Sequence, residues 1–212
     1  MNKIKKWKMQ CDAKEIVKIL NDYNYNAIYL ESSDLVKEKV LELIPKGSSI
    51  ALGGSVTLDE LDIIPEFRTS DYKLFDRYID APFSEIVEIM RESMTADYLV
   101  TSTNAITRNG ELVNTDSGGN RAAGILFGPK NVIIVAGVNK VVDDLNSAFK
   151  RINEVAIMNA KRINHKCPCT EDGKCHDCSV RGRICNFTSI VHNGMKFKGR
   201  ITIIIVPEEL GF

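Results

Sequence analysis

The stretch NVIIVAGV, residues 131–138, carries an unbroken apolar run from Val132 to Ala136. A strand with one wet face alternates apolar and polar side chains, whereas a run apolar at every position needs cover on both faces. Parallel sheets sandwiched by helices supply that cover, and the rest of the chain agrees. Residues 12–22 place Ile16, Val17, Ile19 and Leu20 at helical spacing, and NAIYL (26–30) reads as a short buried strand. SSDLVKEKVLELI starts at a capping Ser33 or Asp34, keeps Leu35, Val36, Val40, Leu41 and Ile44 on one face, and stops at Pro45 and Gly47. SSIAL (48–52) is the next strand, TLDELDII a short helix, FSEIVEIMRESM a longer helix and DYLVTS a strand. A small helix near 119–127 precedes the run at 131–138, and the longest helix follows over 143–163. FTSIVH, a turn at Asn193-Gly194 and ITIIIV (201–206) predict a hairpin or an edge-strand addition. Alternating helices and strands predict an α/β sandwich with a mostly parallel sheet, residues 1–212 forming one domain that includes a cysteine-rich insertion at 165–186.

Composition excludes several classes. Apolar residues at 44% and charged residues at 26% suit a packed core and not a disordered chain. With 28 basic against 28 acidic side chains, a general positive field for nucleic acid is absent. No stretch approaches the roughly 18 apolar residues of a membrane span. The basic start, MNKIKKWKMQCDAKEIVKIL, lacks a continuous apolar segment and a small-residue cleavage site, so it is expected to lead into an amphipathic helix of a cytoplasmic protein.

Glycine loops follow several predicted strands. SSIALGGSVTLDEL sets Gly53, Gly54, Ser55 and Thr57 between a strand and a helix, where backbone can approach a ligand and hydroxyls can contact it. The motif is neither a dinucleotide fingerprint nor a phosphate-binding P-loop, and a tight turn with a helix cap explains it about as well. TSTNAIT adds Ser102, Thr103 and Asn104, and NTDSGGNRAAG adds Asp116, Gly118, Gly119, Asn120 and Arg121. Arg121 can pair a carboxylate or phosphate, or simply pair with Asp116 and fix the turn. Together the loops predict a pocket for a small anionic metabolite at one rim of the sheet, where residues 53–57, 102–104 and 116–121 meet.

Five of the six cysteines crowd into CPCTEDGKCHDCSVRGRIC as Cys167-x-Cys169-x5-Cys175-x2-Cys178-x6-Cys185. A reducing compartment makes such a cluster a metal site before it makes it a disulfide framework. The Cys175–Cys178 turn brings two thiolates together, and Cys167, Cys169 and Cys185 are candidates for the remaining positions. Four thiolates suit tetrahedral zinc and a four-iron cluster equally. His165 and His176 can replace a cysteine; a histidine in a polar loop more often has no such role. Cys11 stands apart and is expected to be a small buried residue. No pairing of nucleophile and base is visible, since His165, His176 and His192 all fall in or after the cysteine region.

The stretches ALGGSVTLDEL, TADYLVTSTNAITRNGELVNTDSGGNRAAGILFGPKNVIIVAGVNKVVDDLNSAFKRI, NAKR and EELGF resemble the LUD domain, the lactate-utilisation family, from about residue 10 onward. The resemblance implies a fold of the glucosamine-6-phosphate isomerase, ribose-5-phosphate isomerase and CoA-transferase type. It implies that Gly53, Gly54, Ser55 and Thr57, with Asn104, Asp116, Asn120 and Arg121, bind an anionic ligand. It also implies a link to lactate oxidation through iron–sulfur partner proteins, which favours an iron–sulfur cluster, of four-iron type, over zinc on the five cysteines. The cysteine loop lies outside the core family pattern and resembles the mark of a subgroup.

Two functions follow as expectations: an iron–sulfur enzyme or electron-transfer component acting on a small hydroxy or oxo acid, or a non-catalytic ligand-binding module with a structural zinc. Isomerase or transferase chemistry is a weaker third, because fold does not set function. The final apolar strands can pair across a homodimer. An antiparallel helix over 143–163 would carry the cysteines to the rim opposite the pocket. The nineteen-residue loop, able to span roughly 60 Å, can nevertheless return them, and adjacency of metal and pocket is the expectation.

Overall fold

The computed structural model describes residues 2–212. The chain opens with α1 (Lys3–Asp22), β1 (Asn26–Tyr29), α2 (Val36–Leu43), β2 (Ser49–Leu52), α3 (Val56–Glu60), α4 (Ile64–Phe67) and β3 (Lys73–Phe75). It continues through α5 (Phe83–Glu92), β4 (Tyr98–Thr101), β5 (Ala105–Thr107), β6 (Leu112–Asp116), α6 (Asn120–Leu126) and β7 (Asn131–Gly137). β8 (Val141–Val142), α7 (Leu145–Arg162), α8 (Cys169–Asp172), β9 (Phe187–Val191) and β10 (Ile201–Val206) complete it. Six strands form an all-parallel sheet in the order β1-β10-β7-β4-β2-β3. The expected α/β architecture with a mostly parallel sheet flanked by helices is the one observed.

The pleat of this sheet divides the core in two. Val132, Ile134 and Ala136 of β7, with Ile203 and Ile205 of β10, face Ala13, Ile16 and Leu20 of α1 and Ile125 of α6. Ile133, Val135, Ile204 and Val206 face Val36 and Val40 of α2, Leu58 of α3 and Phe67 of α4. Each Val, Leu, Ile or Phe among them contributes about 1.5–3 kcal/mol on burial. Both faces are therefore dry, which is the condition the apolar run demanded.

ITIIIV is the main departure from expectation. It forms neither a hairpin nor an edge strand: β10 lies between β1 and β7, parallel to both. All six of its side chains are buried, and a strand apolar on both pleat faces is stable only where both faces are covered. β9 belongs elsewhere, running antiparallel to β6 in a second sheet of order β8-β5-β6-β9. The Asn193-Gly194 turn thus passes the chain from one sheet to the other. Ala105, Val113, Ala148 and Ile152 make a small core between this second sheet and α7.

α1 begins at Lys3, well before residue 12, with Asn2 capping it by accepting from Ile4 N at 2.8 Å. Met9, Ala13, Ile16 and Leu20 mark its inner face. Cys11 falls on the outer face and is exposed, so the expectation of a buried thiol does not hold. Among the described residues no helix is long and apolar enough to cross a membrane.

Candidate functional site

Strands β7, β4 and β2 are neighbours and run parallel, so the loops leaving their C-terminal ends emerge side by side. They deliver residues 53–57, 102–104 and 138–140 to one rim. Gly53 permits the convergence: a Cβ there would stand 2.0 Å from Thr101 Oγ1 and 2.7 Å from Thr101 Cβ. The result is a cavity of ≈ 40 Å³ lined by Gly54, Ser55, Thr57, Ser102, Thr103, Asn104 and Arg121, with Lys140, Val155, Asn159 and Phe212. That volume holds about three water molecules, the scale of a small carboxylate and far from that of a nucleotide. An outer chamber of ≈ 180 Å³ shares Gly54, Asn104, Arg121 and Asn159 with it and adds Arg77, Asp116, Asn120, Arg162 and Ile184. The three loops singled out in the sequence do meet, and Gly53 lies beneath them without lining the space.

Several of those residues are occupied in holding the site. Ser55 caps α3, its Oγ accepting from Leu58 N at 3.3 Å. Thr57 Oγ1 donates to Leu210 O at 3.4 Å. Arg121 Nε donates to Asp116 Oδ1 at 2.9 Å, while its Nη2 donates to Asn104 Oδ1 at 2.7 Å and Thr115 O at 3.0 Å. Asp116 Oδ2 accepts from Ala122 N at 2.7 Å. The pair is about nine-tenths buried, so it fixes the turn as one sequence reading foresaw. It also leaves Arg121 Nη1 without a partner among the described residues. Asn120, with its amide turned so that Oδ1 accepts, takes a 2.9 Å bond from Arg77 Nη1.

Lys140 escaped the sequence reading. It ends the turn after β7, is only 5% exposed, and makes no hydrogen bond or ion pair among the described residues. Burial pushes its pKa down to about 7, helped by the Arg151 and Arg121 guanidinium charges and opposed by Glu60. Arg151 is itself engaged, donating to Asn104 O at 2.9 Å and Phe212 O at 2.5 Å. A lysine placed just past a polar loop has no sequence pattern of its own; only the apolar strand before it hinted that position 140 sits at the rim.

The cysteine loop lies against the same helix. Cys167, Cys169, Cys175, Cys178 and Cys185 all line one small cavity beside Ala156 and Ile157 of α7. Burial raises the Cys167 thiol pKa, with Cys178 and Cys185 adding repulsion, and Cys169 is raised by burial and then by Cys167, Cys178 and Cys185. These four therefore stand within electrostatic reach of one another, while Cys175 is exposed. Arg183 braces the wall, Nε donating to Cys185 O at 3.0 Å and Nη1 to Cys178 O at 2.5 Å. Among the described residues no three His, Cys, Asp or Glu side chains already stand in metal-holding positions, and Cys167 Sγ donates to Gly182 O at 2.7 Å. In donor type and in convergence on one cavity the thiols suit a soft, thiolate-bound metal centre. None of His165, His176 and His192 lines the anion cleft. His165 Nδ1 lies 3.1 Å from Gly182 O, and His176 and His192 pair with Asp172 and Glu111.

The helix geometry expected for 143–163 does not hold. Val155 and Asn159 reach the inner cavity, and Arg162 and Ile163 the outer one, so the end of α7 passes over the pocket rather than to the opposite rim. The cause is the second sheet, on which α7 packs instead of forming the return layer of the main sheet. Ile184 lines both the outer chamber and the cysteine cavity, and Asn186 N donates to Asp116 O at 3.0 Å. The two cavities are neighbours.

The LUD domain family profile matches residues 13–206. The chain belongs to the LUD domain family. Among solved structures, a DUF162 family protein from Deinococcus radiodurans superposes with a TM-score of 0.51 at 13% identity, covering 93% of this chain and 97% of that one. At that identity the likeness speaks for the fold alone, and it supports an α/β sheet flanked by helices for this LUD domain. The eIF2B beta structure from Chaetomium thermophilum matches with a TM-score of 0.37 at 16% identity, covering 54% and 44% of the two chains. No curated protein matches the chain.

Proposed function

We propose that this LUD-domain chain binds a small anionic hydroxy or oxo acid in the cleft and carries an iron–sulfur cluster on the neighbouring cysteines, as an enzyme or electron-transfer component of lactate-type metabolism. The observation that carries the reading is the shared wall: Ile184 borders both the cationic outer chamber and the five-cysteine cavity. Arg77, Arg121 and Arg162 give the cleft a positive field, which among the described residues only Asp116 offsets by direct pairing, and the Lys140 amine lies buried at its inner end. Cys167, Cys169, Cys178 and Cys185 would hold the metal centre, with Cys175 as the spare thiol. When bound, such a cluster supplies a one-electron carrier beside the cleft. The chain's own residues do the rest: Arg121 Nη1 and the Ser55 hydroxyl orient the anion, and Val155 and Phe212 give the inner cavity its apolar wall. A redox partner protein would exchange electrons at the exposed cysteine loop, in a reducing compartment.

A second reading has one observation in its favour. Of residues 165–186 only Cys167 is buried, so the loop has almost no apolar burial to hold its shape. A structural zinc would supply that missing free energy, leaving a ligand-binding module without redox chemistry. Anaerobically purified protein separates the two by metal analysis and visible absorption. Stoichiometric iron and sulfide with a broad visible band support the cluster, and colourless protein with one zinc per chain supports the second reading. Calorimetric titration with lactate, pyruvate, oxalate and phosphate tests the cleft, and absence of binding by all four anions would reject it.

A further inference from the structure

Three guanidinium groups and one amine face this cleft, and their surroundings divide the labour between them. Arg121 is locked by Asp116, Asn104 and Thr115, so it presents a fixed Nη1 edge to a carboxylate. Arg77 is tied through Asn120 at the outer chamber. Lys140 differs in every respect: it is 95% buried, sits in the inner cavity, and makes no hydrogen bond or ion pair among the described residues, Glu60 acting on it only through space. A lysine kept only for its charge would be expected to have an acceptor in reach, because an unpaired buried charge is costly. An amine with a free lone pair needs none.

We propose that Lys140 is a nucleophilic amine that forms an imine with the carbonyl carbon of a small 2-oxo acid whose carboxylate rests on Arg121. The proposal rests on the anion-binding reading of the cleft and adds a covalent step to it. The Nζ lone pair attacks the carbonyl carbon, forming a C–N bond as the C=O π pair moves to oxygen. The carbinolamine takes a proton on that oxygen, loses it as water, and gives the C=N bond; the nitrogen releases a proton. Atoms balance as amine plus ketone giving imine plus water, with no oxidant. The cavity volume suits a three-carbon acid once the few waters are displaced.

The groups around Nζ come from every element that packs there. α3 presents Thr57 and Glu60, the loop after β4 presents Ser102, Thr103 and Asn104, α6 presents Arg121, and α7 presents Arg151 and Asn159. Residues 211 and 212 close the side, Lys140 Nζ being 3.5 Å from where a Gly211 Cβ would stand. The Thr57 hydroxyl borders the same point and offers a route for moving the proton during dehydration. With a pKa of about 7, close to half of Lys140 is neutral at neutral pH. An ordinary surface lysine is neutral in fewer than roughly one molecule in a thousand. That difference makes the reaction selective for this one residue.

The test is reductive trapping on the full chain. Protein is incubated with pyruvate and borohydride near neutral pH, digested, and the modified lysine mapped by mass. Expected is one dominant reduced adduct on the peptide carrying Lys140, suppressed by excess oxalate and lost in Lys140→Arg. Calorimetry with oxalate, which binds as an anion and offers no ketone, runs beside it. Oxalate binding with no adduct at Lys140, or an adduct spread equally over many lysines, overturns the imine and leaves the anion site standing. Failure of oxalate, lactate and pyruvate all to bind, with Lys140 unlabelled, removes the anion-site reading and the imine with it.

Discussion

Replacing Lys140 by Met should stabilise the protein, and the gain should vanish as the pH rises. Met matches the length of the stem and needs no acceptor, so the substitution removes the buried amine and keeps the packing. The folded-state pKa of about 7 against an ordinary 10.5 corresponds to about 4–5 kcal/mol of destabilisation at low pH. Relaxation and water entry lower the realised figure, and about 2–4 kcal/mol is expected. The direction with pH follows from proton counts. Below about 7 the lysine is charged in both states and the full penalty applies. Between about 7 and 10.5 the unfolded chain holds a proton that the folded chain lacks, so wild-type stability rises by about 1.4 kcal/mol per pH unit from this group. Above 10.5 both states are neutral and only the small cost of burying an amine remains. Urea midpoints of both proteins, compared between about pH 6 and about pH 9.5 at unchanged m-value, measure this. A Met variant less stable than wild type by the same amount throughout that range would refute the reasoning, because it would show Lys140 as a satisfied structural group. The stabilised variant is expected to lose function, as strained functional groups generally are paid for in stability.

Asp116→Asn leaves the Arg121 guanidinium buried with its charge unpaired and should cost about 3–5 kcal/mol in chemical denaturation; a loss below about 1 kcal/mol would show the turn held by other bonds. Gly53→Ala drives a methyl group to 2.0 Å from Thr101 Oγ1 and should lower stability by about 1–3 kcal/mol. Adding Thr101→Ala should recover only part, since the Thr101 Cβ alone is 2.7 Å away, and full recovery would contradict the geometry. Cys178→Ser should abolish metal loading measured by elemental analysis, whereas Cys11→Ser, on the outer face of α1, should load as wild type does. Full metal content in the Cys178 variant would end the assignment.

Periodicity carried most of the fold because burial on both faces leaves a pattern that local sequence cannot hide. NVIIVAGV reads as a covered parallel strand for that reason, and the helix expected over 143–163 is found as α7, Leu145–Arg162. ITIIIV shows where local reading ends. Its composition states that both faces are dry, but its partners, β1 and β7, lie far from it in sequence and leave no mark on it. β5, of three residues, and β8, of two, are too short for any period to show, so the second sheet was invisible although it sets the course of α7.

The candidate site divides the same way. Glycine, hydroxyl and amide residues at strand ends are written in the chain, because a loop that approaches a neighbour closely needs Gly53 whatever the ligand. The five-cysteine spacing is likewise a local fact. The sequence by itself thus determined the α/β class, the polar rim and the crowding of thiols, all of which depend on neighbours along the chain. Only the tertiary structure decided that Lys140 is buried with no hydrogen-bond partner among the described residues, that Arg121 is held by Asp116, and that Ile184 borders both the cleft and the cysteine cavity. Desolvation and charge act through space, falling with distance between side chains and not with separation along the backbone, so they come into being only when the strands and helices close together.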